Sequence, residues 1–182
     1  MSLPQAYTIP NFPFKSQRDN EFNPSGSCNV TSIAMCLAAK GIRGDGSFEQ
    51  LEDQLYDRAI ANKLSRHDPL DLKALAETYP GITDNYTEFG TFGDIKQAIS
   101  SNIGCVVHGY FTKSGHIVVI KGYDERGCVV NDPWGEWYPW GYDHDVTGEG
   151  VHYSWGMIAR LCSEESIGNP SNIWLHRISR HV

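Results

Sequence analysis

The sequence predicts an α+β fold, with helices first and an antiparallel sheet after them. Three observations carry this. Apolar residues recur at helical spacing in four segments before residue 102. Runs rich in Val and Ile, bounded by turn residues, follow from 105 to 132. The two patterns are segregated along the chain rather than alternating, which is the α+β arrangement.

The elements follow in order. Residues 1–14 read as an extended N-terminal arm, with Tyr7, Ile9, Phe12 and Phe14 spaced among Pro4, Pro10 and Pro13. A first helix is predicted from Cys28 to Lys40, its apolar positions being Val30, Ile33, Ala34, Leu37 and Ala38. Ser27 is placed to cap it and Gly41 to close it. A second helix is expected from Ser47, where Ser47-x-x-Gln50 spells a capping box. A third starts at Asp68-Pro69, a cap followed by proline at the first helical position. A fourth opens on Thr91-x-x-Asp94 and runs to about residue 102. Strands are predicted over 105–111, 116–124 and 127–132. A loop rich in Trp, Tyr and Gly comes next (133–150), then a strand at 151–153, a helix at 154–162 and a last strand at 173–178. At 182 residues the chain is long enough to bury a real core and short enough for one domain over 1–182.

Composition excludes several function classes. The net charge is -7 and neither half of the chain is basic, so a nucleic-acid partner has no electrostatic footprint. No apolar run approaches the length of a membrane segment. The first thirteen residues hold three prolines and no apolar stretch of signal-peptide type, so a cytoplasmic location is the default expectation. Five cysteines without paired spacing suit neither a disulfide framework nor a structural zinc site. Asp143-x-Asp145-x-Thr147-Gly148 copies half of a calcium loop, but Ser154 stands where the closing Glu belongs. No metal and no cofactor are expected. The sequence sets no oligomeric state.

Cys28 stands apart from the other four cysteines. Cys36, Cys105, Cys128 and Cys162 lie within apolar helix or strand patterns, where thiols are inert. Cys28 opens a helix after the polar loop Asn23-Pro24-Ser25-Gly26-Ser27, and the positive end of the helix dipole favours a thiolate there. Such a nucleophile needs a histidine base, and that histidine needs a partner on its other nitrogen. His116 opens a strand directly after Gly115, and Asp132 closes the next strand. If residues 124–126 form a three-residue loop, Tyr123 opposes Gly127 and Asp132 opposes Val118. Asp132 is then a diagonal neighbour of His116 on the same face. Gly127 would supply the left-handed residue of that loop. His108 is the rival base, without an obvious carboxylate partner. His67, His144, His152, His176 and His181 have no cysteine context.

These residues carry a resemblance. Gln17 to Leu37, Q-R-D-N-E-F-N-P-S-G-S-C-N-V-T-S-I-A-M-C-L, resembles the active-site helix of the bacteriocin-leader (double-glycine) peptidases and of their stand-alone papain-like relatives in bacteria and phages. Gly115 to Gly135, G-H-I-V-V-I-K-G-Y-D-E-R-G-C-V-V-N-D-P-W-G, is similar to the His and Asp strands of the same group. The resemblance implies a papain-like (cysteine proteinase) fold, with the Cys helix packed on the C-terminal antiparallel sheet. It implies a thiol peptidase acting on a peptide or protein substrate through a catalytic triad. Cys28 would be the nucleophile, His116 the base and Asp132 the group that orients it. Gln17 would form the oxyanion hole with the backbone N–H of Cys28. Trp134 would shield the His–Asp pair, and Gly115 and Asn29 are further candidates for the substrate groove. Two departures stand out: Asn29 follows Cys28 where many relatives have Gly, and the gap from Gln17 to Cys28 is longer than in transporter-bound peptidases. Two alternatives are a hydrolase of cell-wall stem peptides, with residues 134–142 as an aromatic grip, and a binding module of weak activity.

Overall fold

The computed structural model describes residues 2–163 and 170–181; Met1, the first residue of the expected arm, lies outside them. The helices are α1 (Cys28–Ala39), α2 (Leu51–Ala61), α3 (Pro69–Ala76), α4 (Phe92–Ser100) and α5 (Trp155–Cys162). The strands are β1 (Tyr7–Thr8), β2 (Ile82–Asp84), β3 (Thr87–Gly90), β4 (Cys105–Gly109), β5 (His116–Tyr123), β6 (Gly127–Asn131), β7 (Glu136–Tyr138), β8 (Gly141–Asp143), β9 (Val151–Ser154) and β10 (Ile173–Arg180). The predicted α+β class is the one observed.

Eight strands form one antiparallel sheet in the order β2-β10-β4-β5-β6-β9. The arm joins it, because β1 pairs with the end of β5 (Tyr7 with Tyr123) just beyond the point where β4 stops (Cys105 with Ile120). β3 pairs with β10, and β7 with β8 as a separate hairpin inside the predicted aromatic loop. β2 and β3 escape sequence reading because each is three or four residues long and owes its place to β10, far along the chain.

α1 is the central helix. It packs against β5 and β4 and also meets α2 and α3. It is buried on every face from Asn29 to Leu37, its apolar residues against the core and its polar Thr31 and Ser32 hydrogen-bonded to Asn20 and to the Ile117 carbonyl. Its ends are more open, with Cys28 half-buried at the N-terminal tip and Ala39 exposed at the other end. α4 and α5 cover other parts of the sheet.

Two expected caps differ. Ser27 precedes α1, but its hydroxyl donates to the carbonyls of Phe22 (2.7 Å) and Asn23 (2.8 Å) and does not cap the helix. It fastens the Cys28 loop from below. Ser47 does not start α2, because Asp45 holds both its N–H (2.9 Å) and its hydroxyl (2.5 Å); the helix begins at Leu51. The other two caps form as predicted. Asp68 accepts from the N–H groups of Leu70 and Asp71, and Thr91 and Asp94 make the reciprocal capping box of α4.

The β5–β6 turn also departs from expectation. Tyr123 pairs with Cys128, not Gly127, so the loop has four residues. Asp124 holds it, its carboxylate accepting from the N–H groups of Arg126 (2.7 Å) and Gly127 (2.9 Å). Gly127 is not left-handed. It is needed because a Cβ there would lie 2.2 Å from the Tyr153 carbonyl on β9. A bulge between Ile120 and Gly122 then returns the pairing to Val119 with Asn131, the register predicted for this end of the hairpin.

Candidate active site

The candidate residues converge at one cleft of about 760 Å³, whose walls include Gln17, Cys28, Asn29, Gly115, His116 and Trp134. Asp132 lies behind His116 and is fully buried.

A 3-10 turn at Pro24–Gly26 delivers the chain to the N-terminus of α1. Cys28 stands there half-buried, whereas Cys36, Cys105, Cys128 and Cys162 are buried. Burial pushes the thiol pKa of each of those four upward, so they stay protonated and inert.

His116 opens β5 and is nearly buried. Gly115 before it adopts φ +86°, a left-handed backbone that favours glycine. The His116 Nε2 lies 2.8 Å from Asp132 Oδ1, and the ring also hydrogen-bonds Cys28. With Nε2 on the carboxylate, Nδ1 is the nitrogen left for the thiol. Burial opposes the charged ring, but the Asp132 charge, its hydrogen bond and the contact with Cys28 outweigh that cost. The pKa of His116 is pushed up to about 10.

Asp132 accepts four hydrogen bonds. Oδ1 takes His116 and the backbone N–H of Trp134 (3.0 Å); Oδ2 takes the hydroxyls of Tyr142 (2.9 Å) and Tyr153 (2.8 Å). Burial and the adjacent carboxylate push both tyrosine pKa values upward, so both hydroxyls remain donors. The aromatic segment doubles back over the site: Asp132 N–H donates to Gly148 O (2.8 Å), and a Cβ on Gly148 would sit 1.9 Å from the Asp132 carbonyl. Glycine is therefore required at 148.

Gln17 is buried, and its Nε2 donates to Pro24 O (2.8 Å). Its backbone N–H donates to Pro133 O (3.0 Å), tying it to the residue after Asp132. One amide hydrogen of Gln17 is thus engaged and the second is left over. Asn29 lines the cleft, but its Oδ1 is already occupied by Val30 N–H (2.8 Å) and Arg66 Nη1 (3.3 Å).

Sequence reasoning missed several residues here. Tyr142 had been grouped with an aromatic platform and Tyr153 with a plain strand. Cys128 pairs with Tyr153, which puts Tyr153 on the face shared by Cys128, Val130 and Asp132; only the β6–β9 register reveals this. The ring contacts of His116 among the described residues are with Phe111 (5.9 Å) and Tyr142 (5.6 Å), so these supply the cover expected of Trp134. The Trp134 ring rests on His144 (5.1 Å). Of the aromatic segment, Trp137 is anchored through Nε1 to Phe111 O, while Tyr138 and Trp140 stack on each other and Trp140 is exposed.

His108 is excluded as the base for His116's partner thiol. It pairs with Ile117 while Gly109 pairs with His116, so the two imidazoles leave the sheet on opposite faces. Its Nε2 lies 3.0 Å from His176 Nε2, and His176 Nδ1 lies 2.6 Å from Asp84 Oδ2. A carboxylate partner thus exists after all, one imidazole removed, and His176 is a buried residue of β10, within the strand predicted there.

Comparison with known proteins agrees with this architecture. The model of the Peptidase_C39-like family matches residues 9–163. Two solved structures share the fold. One is described as a C39-like peptidase from Bacillus anthracis, at 16% identity and a TM-score of 0.61, covering 98% of this chain and 100% of that one. The other is a double-glycine motif protease from an AMS/PCAT transporter in complex with its leader peptide. Its identity is 17% and its TM-score 0.53, covering 95% and 99%. No curated protein matches. The fold is papain-like, and its class is that of the cysteine-type peptidases. More specifically, the chain belongs to the Peptidase_C39-like family. No helix among the described residues is long and apolar enough to cross a membrane.

Proposed function

We propose that the protein hydrolyses a peptide amide bond through an acyl-enzyme at Cys28. The observation that supports this reading is the hydrogen-bonded series Cys28–His116–Asp132, set at a helix N-terminus on an open cleft.

The roles follow from the geometry. With its pKa raised, His116 holds its proton at neutral pH, and the Cys28 sulfur lies beside it at a helix N-terminus, where the dipole favours a thiolate. The thiolate attacks the carbonyl carbon, and the carbonyl electrons move onto oxygen. That oxyanion is taken by the Cys28 backbone N–H and the second amide hydrogen of Gln17. His116 gives its Nδ1 proton to the leaving nitrogen as the C–N bond breaks, leaving a thioester. It then accepts a proton from water, whose oxygen attacks the thioester and releases the acid and the thiolate. Asp132 keeps the ring in this orientation throughout, and its own position is set by Tyr142 and Tyr153.

Alkylation tests the reading. Iodoacetamide is expected to label Cys28 far faster than the four buried thiols. Equal labelling of all five, or an unchanged Cys28 rate in His116→Ala, would refute it.

A further inference from the structure

One wall of the same cleft includes a second buried constellation. His108, Glu88, Phe89, Tyr110 and Trp174 all line it. Val106 pairs with His176 and Ile178 with Asp84, so His108, His176 and Asp84 stand in diagonal succession on one face across β4, β10 and β2. Asp84 and His176 are fully buried, and His108 reaches the cleft.

Geometry assigns the free nitrogen. Asp84 Oδ2 meets His176 Nδ1, while Oδ1 has no hydrogen-bond partner among the described residues. His176 Nε2 meets His108 Nε2, which leaves Nδ1 as the free ring nitrogen of His108. Burial and the neighbouring His176 push the His108 pKa down to about 3, so its ring is neutral. The series therefore ends on a neutral ring with one nitrogen to offer. Glu88, exposed on the same wall, disfavours an anionic partner and favours a neutral one.

We propose that His108 is a specificity-determining residue, hydrogen-bonding through Nδ1 to a neutral amide group of the bound peptide, with Asp84 and His176 as positioning residues. The substrate class rests on the peptidase reading above; the hydrogen-bond assignment does not. The amide belongs either to an Asn or Gln side chain or to the peptide backbone.

The test uses a positional-scanning library of fluorescent hexapeptides, with binding measured on Cys28→Ala and cleavage on the wild type. A side-chain source predicts that Gln at one position binds about tenfold tighter than Met, the scale of one well-made hydrogen bond. A backbone source predicts a similar loss when one amide link is replaced by an ester. Either preference is expected to vanish when His108→Phe is added to Cys28→Ala, and to persist in part with His108→Gln, which keeps a donor and an acceptor. A preference that survives His108→Phe overturns the proposal, as does a library with neither preference. If the wild type cleaves no peptide while a His108-dependent preference stands, the peptidase reading fails and the role of His108 holds.

Discussion

Two buried Asp–His pairs share one sheet and end differently. Asp132–His116 ends on a thiol at the tip of α1, whereas Asp84–His176 ends on a second imidazole, His108. The first carboxylate is saturated with four donors, three of them besides the histidine. The second has an oxygen without any among the described residues. A saturated carboxylate fixes the direction of the ring it holds, which is what repeated proton transfer requires. A carboxylate with one side-chain contact leaves its histidine to be fixed by that contact and by the second imidazole. The same pair of residue types thus stands behind a thiol in one place and behind a second imidazole in the other. The difference lies in what surrounds the carboxylate.

Substitutions can break this contrast. His116→Ala is expected to lower peptide turnover by about 10³–10⁴ and to slow Cys28 alkylation in parallel, measured by peptide kinetics and thiol labelling. Asp84→Ala is expected to do the reverse. It should destabilise the fold by about 1–3 kcal/mol in urea unfolding, because it removes the hydrogen-bond partner of the fully buried His176 Nδ1, while Cys28 alkylation in the folded fraction stays within about twofold. If Asp84→Ala also suppressed alkylation, the two pairs would not be separable. Gln17→Ala is expected to cost about 10²–10³ in kcat with little change in alkylation, since an oxyanion donor acts only in the transition state. Tyr142→Phe removes one of four donors to Asp132 and should lower kcat/KM only about tenfold.

The pH dependence sharpens the first pair. His116 is raised from an ordinary 6.5 to about 10, so the folded protein binds this proton more tightly than the unfolded chain. The resulting stabilisation is complete below about pH 6.5 and is lost as pH rises through about 10. The difference in melting temperature between wild type and His116→Gln is therefore expected to be largest near pH 6 and to shrink towards pH 10.5. A difference independent of pH over that range would argue against the ion pair.

Much of the site was legible in the sequence, for reasons tied to particular residues. Cys28 could be singled out because helix periodicity and a polar loop place it at a helix start, and the other four thiols read as core. His116 and Asp132 could be paired because strand alternation constrains faces. The arithmetic reached the right neighbourhood by a route the structure does not follow: the turn is one residue longer than expected, and the bulge after Ile120 cancels the error. Neither feature has a local signature strong enough to predict. Tyr142 and Tyr153 were out of reach because their roles depend on which strand lies beside β6 and on how the aromatic segment folds back. The Asp84–His176–His108 series was invisible for the same reason, since its members meet only through β10. Ser27 and Ser47 show the opposite failure. Their local signals were clear, and nearby carbonyls and a carboxylate took their hydroxyls instead.

The placement of β10 has a consequence for how the molecule assembles. It pairs with β2, β3 and β4, and its contact between His176 and Asp84 joins residues 92 positions apart. Closing so long a loop costs entropy before any pairing energy is returned, and chains dominated by such contacts fold slowly. The hairpin that brings His116 to Asp132 spans only 16 positions. The expected order in refolding is therefore the His116–Asp132 pair first and the Asp84–His176 pair later. A transient species would then hold the first pair without the second.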